Sequence, residues 1–471
     1  MLGPVGRLGT AALALALGAL AALPPVQAAG STSYSGSTAD GGTWVADVPT
    51  PWNGTLLLYS HGFGPPQAAD APDPATRQAL LDRGYALVGS SYDPHGSWWA
   101  LGSALHDQFE ALQDVRAHLP SAPERVIAVG TSMGGLISAL EAEDPNRRIA
   151  GALSTCGLVA GAISLNNYQL DGEYAMARLL APDTPIQLVR FSGPDQGLAT
   201  GKALDAAAQR AQATAAGRAR LALAMAFLNV ATWAPGEPMP GRHDYEQQER
   251  EQYQVEFAVP AQGPPLSAMD FVEFARWYLE AAAGGNGSWT EGVDFARLLD
   301  RSPYAPEVRA LYREAGLDLD HDLALLTAEA RIQADPNAIR WLQQTSVPTG
   351  HLQVPELTLH TISDQLVPVQ QENSYARTVR EAGAAPLLRQ AYVERQGHCN
   401  FTPAELVAGV LAIQHRVDTG RWDDVATPQS LEATARELGL GEARFIRYQP
   451  AVLSGDNGSF ASGGTAHATP D

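Results

Sequence analysis

The stretch Gly130-Thr131-Ser132-Met133-Gly134-Gly135 restricts the possible folds of this chain more than any other. It follows the apolar run Arg125-Val126-Ile127-Ala128-Val129, which has the pattern of a buried strand. It precedes Leu136-Ile137-Ser138-Ala139-Leu140, which reads as the start of a helix. Strand, G-x-S-x-G, helix is the layout of a nucleophile elbow, a turn so sharp that the serine hydroxyl stands clear at the sheet edge. Side chains two residues either side of that serine would collide with the turn, hence Gly130 and Gly134.

The segments around the elbow repeat strand and helix. Thr43 to Val48 reads as an edge strand, Trp52-Asn53-Gly54 as a turn, and Thr55 to Tyr59 as a core strand. Pro74 to Arg83 reads as a short helix, Tyr85 to Ser90 as a strand, and Ile149 to Thr155 as a strand ending at Cys156. Ser103 is placed to cap the helix that carries Leu105, Phe109 and Leu112. Such alternation predicts an α/β fold, a mostly parallel sheet with helices on both faces.

From residue 161 to residue 348 the rhythm stops, and the chain becomes Ala-rich and helical, cut by Pro/Gly segments such as Pro235 to Gly241. The stretch reads as a helical cap inserted in the sheet domain, with its long segment Lys202 to Val230 broken near Gly217. Phe271, Phe274, Ala275 and Tyr278 recur at one face of a helix and are expected to form cap core. Asp318, Asp320, His321 and Asp322 read as a solvated helix start; no metal site is expected there. The alternation then resumes: Glu356 to Thr361 as a strand, Val369 to Gly383 as a helix, and Leu387 to Val393 as a strand. A last helix is capped by Thr402 with Pro403 and Glu405. The resulting division is 40–160 and 349–418 for the two sheet halves, 161–348 for the cap, and 419–471 for an extension without a clear signature. Ser454 to Asp471 is expected to be disordered.

Three loops at strand ends carry groups that belong together chemically. Ser132 is a poor nucleophile until a base takes its proton, and a neutral imidazole held in one tautomer by a carboxylate does this near neutral pH. In an elbow fold these partners follow the serine in the order acid, then histidine, each just after a late strand. Asp364 and His398 meet both conditions, whereas His351, His360 and His415 fall in a linker, a strand and a helix. His61-Gly62-Phe63-Gly64 follows a core strand directly, and such a loop leaves backbone N–H groups free to hold an oxyanion; Phe63 and Met133 are the candidate donors. Trp98 and Trp99 follow another strand end, where ligands bind in α/β sheets, and are candidate pocket walls. Cys156 and Cys399 lie far apart in sequence, and one disulfide or two buried thiols are both open.

These motifs resemble the α/β-hydrolase superfamily, in particular exported bacterial serine hydrolases with a large cap. The resemblance covers the two sheet halves and leaves the cap unmatched. It implies hydrolysis of a carboxylic ester or amide of a small to medium substrate, with Ser132, Asp364 and His398 as catalytic residues and no metal or organic cofactor. It also admits peptidases, lipases, polyester depolymerases and amidases of aromatic acyl groups, phthalyl amidase among them. Cys399 beside His398 is similar to tannases and feruloyl esterases, in which that cysteine is bonded to one next to the serine. Here Thr131 stands next to Ser132 instead, and the resemblance implies a bridge from Cys156 to Cys399 that steadies the histidine loop. The rival class is a binding protein that kept the fold and lost the chemistry; such proteins lack a member of the catalytic set, and here all three are present.

Charge and the first residues bound the rest. With 51 acidic against 31 basic residues the net charge is −20, which argues against a nucleic-acid partner or an anionic membrane surface. Arg7, the apolar run Ala11 to Leu23 and Val26-Gln27-Ala28 have the form of a cleaved signal peptide over 1–28, so a secreted or periplasmic location is expected, with the mature chain starting near Ala29.

Overall fold

The computed structural model describes residues 30–259 and 265–455; the expected signal peptide lies outside them. A nine-stranded sheet runs in the order β1-β2-β4-β3-β5-β6-β7-β8-β9. The strands are β1 (Gly30–Ser37), β2 (Thr43–Thr50), β3 (Thr55–Ser60), β4 (Ala86–Ser90), β5 (Arg125–Thr131), β6 (Gly151–Thr155), β7 (Glu356–Ser363), β8 (Leu388–Gln396) and β9 (Phe445–Ile446). The pairs from β4 through β3, β5, β6 and β7 to β8 are parallel, while β1/β2, β2/β4 and β8/β9 are antiparallel. The exchange of β3 and β4 in an otherwise sequential sheet, with the elbow after β5, is the α/β-hydrolase fold.

Alternation along each strand splits its apolar residues between two cores. Leu57 and Tyr59 of β3 face one side with Ile127, Leu153 and Leu359, covered by α1 (Pro74–Leu81). Leu56 and Leu58 face the other side with Ala128 and Val88, under α2 (Ala104–Val115) and α3 (Met133–Ala142). Burial on both faces is why these strands read as continuous apolar runs.

Between β6 and β7 the described residues form helices only: α4 (Gly161–Leu180), α5 (Pro194–Ala211), α6 (Ala215–Leu228), α7 (Tyr245–Phe257) and α8 (Ala268–Ala283). There follow α9 (Phe295–Arg301), α10 (Ala305–Glu314), α11 (Leu319–Glu329) and α12 (Pro336–Thr345). This insertion has its own core, in which Leu170 and Met176 of α4 meet Leu221, Met225 and Phe227 of α6 and Phe295 of α9. The expected break near Gly217 falls at residues 212–214, and Gly217 instead donates its N–H to the N-cap Thr214 of α6. Asp318 caps α11 and Asp322 holds Arg220 at 2.7 Å, so that acidic run serves helix start and packing.

Helices α13 (Gln370–Glu381) and α14 (Pro403–Thr419) complete the sheet domain, and the Thr402–Glu405 capping box is formed at α14. The chain differs from expectation at both ends. Thr43 to Val48 is not an edge, because β1 pairs along its full length with β2. Its sequence, GSTSYSGS, has no apolar alternation to read; backbone ladder bonds hold it. The extension beyond Thr419 carries α15 (Pro428–Leu438), packed through Leu431 and Ala435, and the edge strand β9. Of the tail expected to be disordered, residues 456–471 lie outside the described residues, while Ser454 is buried and exchanges two hydrogen bonds with Asn229 in the insertion, at 2.8 and 3.0 Å. No helix among the described residues is long and apolar enough to cross a membrane.

Candidate active site

The turn after β5 is as tight as its sequence requires. Ser132 has φ 60° and ψ −121°, outside the ordinary regions for a residue with a side chain. A Cβ on Gly130 would lie 1.8 Å from the Gly134 carbonyl oxygen, and one on Gly134 would lie 1.9 Å from that of Ser60. Ser132 N–H donates to Thr155 O at 3.0 Å, tying the turn to β6.

The loops after β7 and β8 bring the other two groups to it. His398 Nε2 is 2.8 Å from Ser132 Oγ, and His398 Nδ1 is 2.7 Å from Asp364 Oδ2. The second Asp364 oxygen accepts the N–H groups of Leu366 and Val367 at 2.9 and 2.8 Å. Burial pushes the Asp364 pKa up, but the charge and hydrogen bond of His398, the charge of His360 and the Val367 N–H outweigh it. The carboxyl is therefore held below its usual range. Gln365 Oε1 accepts the His398 N–H at 2.8 Å, which fixes the histidine loop from behind.

Two further supports complete the site, of which only the second, a disulfide, was expected from sequence. His360, set aside there as a strand residue, is fully buried, with Nε2 2.8 Å from Val367 O and 3.8 Å from Asp364 Oδ2. Its Nδ1 is 3.0 Å from Glu372 Oε1. Burial disfavours charge on this imidazole, yet Glu372 and Asp364 prevail and raise its pKa. Cys156 and Cys399 are disulfide-bonded, with Cα atoms 5.3 Å apart, so the end of β6 is stapled to the residue after His398. The grouping of Cys156, His398 and Cys399 is this staple beside the imidazole, its sulfurs spent on each other.

The glycine-rich loop after β3 runs against the elbow. A Cβ on Gly62 would sit 3.2 Å from Ser132 Cβ. His61 anchors the loop: its ring stacks on Tyr92 at 4.1 Å, its Nδ1 is 2.8 Å from Gly62 O, and Tyr92 O–H donates to His61 O at 2.9 Å. Burial pushes the His61 pKa down. The Phe63 and Met133 N–H groups have no acceptor among the described residues, and both residues line the cavity that holds Ser132.

That cavity has a volume of about 270 Å³. Its walls are mostly apolar, with Trp99, Leu158, Leu165, Val272, Leu279 and Leu366 among them, together with Asn166, Gln169 and Arg276. Of the two expected tryptophans, Trp99 borders it and Trp98 does not. Trp98 stacks on Tyr278 at 4.5 Å and meets Phe63 edge-on at 5.8 Å. The aromatic stripe of α8 is thus not core of the insertion. Phe271 and Ala275 line the cavity, and Phe274 and Tyr278 pack on Trp98. Periodicity shows that a helix has an apolar face but not what covers it, and here the loops after β3 and β4 do.

No family profile matches this chain. The o-phthalyl amidase of Xanthobacter agilis is 29% identical over 437 residues, covering 88% of this chain and 94% of that protein. Among solved structures, feruloyl esterase B from Aspergillus oryzae is 12% identical over 82% of this chain and 80% of its own, with a TM-score of 0.41. An acylaminoacyl peptidase of Pyrococcus horikoshii is 10% identical over 90% of this chain, with a TM-score of 0.37; the chain spans 44% of that protein.

Proposed function

We propose that this chain, a serine hydrolase of the α/β-hydrolase fold, cleaves a carboxylic ester or amide whose acyl part is compact and aromatic, by way of an acyl-enzyme on Ser132. The observation that carries the reading is the continuous chain of contacts from Asp364 through His398 to Ser132, at 2.7 and 2.8 Å, opening into an apolar cavity. Asp364 accepts Nδ1–H and so leaves Nε2 as the acceptor of the serine proton. Ser132 Oγ attacks the acyl carbon, and the negative oxygen is held by the N–H groups of Phe63 and Met133. His398 then gives the proton to the departing amine or alcohol, and water, deprotonated by the same imidazole, releases the acid.

Cavity size supports the acyl preference. A cavity of about 150 Å³ holds benzene, and about 270 Å³ leaves room for one ring and a substituent. Likeness to an o-phthalyl amidase points the same way and favours an amide as the bond cleaved. The substrate is a small molecule, and residues 1–28 direct export to the periplasm or medium. Because β1 begins at Gly30, cleavage near Ala29 leaves the sheet whole.

Matched p-nitrophenyl esters and p-nitroanilides of acetic, octanoic and benzoic acids test the reading, together with mass spectrometry after a fluorophosphonate. The benzoyl compounds are expected to be turned over best, with the label on Ser132. An unlabelled Ser132, or a preference for octanoyl, would sink it. N-terminal sequencing of exported protein is expected to begin near Ala29; a mature chain still carrying residues 1–28 refutes export by cleavage.

A further inference from the structure

The cavity beside Ser132 is mostly apolar, and away from Ser132 and His398 its polar side chains gather on α4 and α8. Asn166 and Gln169 lie three residues apart on α4 and therefore share a face of that helix. Both side chains border the cavity, and the residues are only 2% and 8% exposed. Among the described residues neither amide has a hydrogen-bond partner. An amide without a partner is costly to keep in such a wall, and here two stand side by side among mostly apolar side chains.

Arg276 of α8 borders the same cavity. Its side chain is fixed from the far side: Nη2 donates to Glu173 at 2.5 Å, Nε to Glu273 at 3.2 Å and Nη1 to Ser288 Oγ at 3.4 Å. Of its five N–H groups, those three bonds leave two without an acceptor among the described residues. Burial pushes the carboxyls of both Glu173 and Glu273 up, that of Glu273 well up.

An amide donates and accepts, whereas a guanidinium only donates. A group that satisfies all three must therefore be an acceptor oxygen. We propose that Asn166, Gln169 and Arg276 form a subsite for an oxygen-bearing substituent, carboxylate or carboxamide, on the acyl group of the substrate. The inference rests on this cavity being the acyl site of the proposed hydrolase. A substrate with that oxygen pairs with the amide and guanidinium N–H groups on binding; one without it leaves them unpaired, a difference of at least about tenfold in kcat/KM.

The test compares p-nitroanilides of benzoic acid with those bearing a carboxylate or a carboxamide on the ring, at each ring position, on the wild type and on Asn166→Leu, Gln169→Leu and Asn166→Asp. A substituted compound is expected to exceed the unsubstituted one by at least tenfold at one ring position. That ratio should fall towards one in the leucine variants. In Asn166→Asp it should invert for the carboxylate and hold for the carboxamide, whose N–H can meet the new acceptor. The carboxylate leading the carboxamide in the wild type identifies an anion as the ligand, and the reverse order a neutral oxygen. Equal rates for substituted and unsubstituted compounds, or variants that slow all compounds by one factor, would overturn the subsite. Fluorophosphonate labelling of Ser132 in each variant keeps this apart from failure of the hydrolase reading, which shows as no labelling in the wild type.

Discussion

Ser132 combines a strained backbone with a hydroxyl already in hydrogen-bond contact with His398. Ser132→Ala is expected to lower kcat on the order of 10⁴- to 10⁶-fold with little change in thermal midpoint, read by anilide turnover and melting of the same sample. Asp364→Asn should cost about 10⁴-fold, because an amide lets the imidazole take the wrong tautomer. Restoration of that rate on raising the pH would be inconsistent with Asp364 as the orienting group. Gly134→Ala is a different lesion: the added methyl meets the Ser60 carbonyl at 1.9 Å, which forces the start of α3 away from the end of β3. It should lose about 3 kcal/mol or more, seen as a lower urea midpoint, along with the activity.

At the scale of elements, what was legible depended on whether a segment announces its own conformation. The elbow, the Thr402–Pro403–Glu405 cap and the buried strands could be read because glycine, proline, capping side chains and apolar runs act locally. The order of Asp364 and His398 was readable because each follows its own strand. Other elements were not readable for a physical reason. β1 has no apolar pattern and exists through its partner's backbone, and the α8 stripe looks the same whether it faces the insertion's core or the catalytic loops. α15 did carry signals that went unread: Thr427 and Pro428 repeat the start seen at α14, and Gly439 with φ +66° ends it. Asn166 and Gln169 gave no signal, since only the folded cavity shows that nothing pairs with them. The staple acts at this scale too. Replacing Cys156 and Cys399 by serine frees the His398 loop from β6 and should lower stability by about 2–5 kcal/mol, checked by urea unfolding. A midpoint unchanged from wild type would mean that the bond only records a proximity held by other contacts.

Across the molecule, buried carboxyls set the response to pH. Burial pushes Glu256 and Glu356 up to about 8 and Asp205 and Glu249 up to about 7. Each keeps a proton in the folded chain that the unfolded chain releases near pH 4. Their contribution is complete below that value and is lost as pH rises through 7 to 8. Acting the other way, Asp144 is held at about 2, since Arg148 and backbone N–H groups outweigh its burial; its contribution is lost only in strong acid. The urea midpoint should therefore be higher at pH 5.5 than at pH 8.5, and an equal or higher midpoint at pH 8.5 would contradict this balance. The bond between Cys156 and Cys399 has one more effect, because it joins positions 243 apart in sequence and closes a ring that contains the whole helical insertion. Within that ring Met239 and Val259 stand exposed on the segments flanking α7. A protease that cuts there opens the ring without dividing the molecule: the products should migrate as one species on a gel without thiol and as two with it.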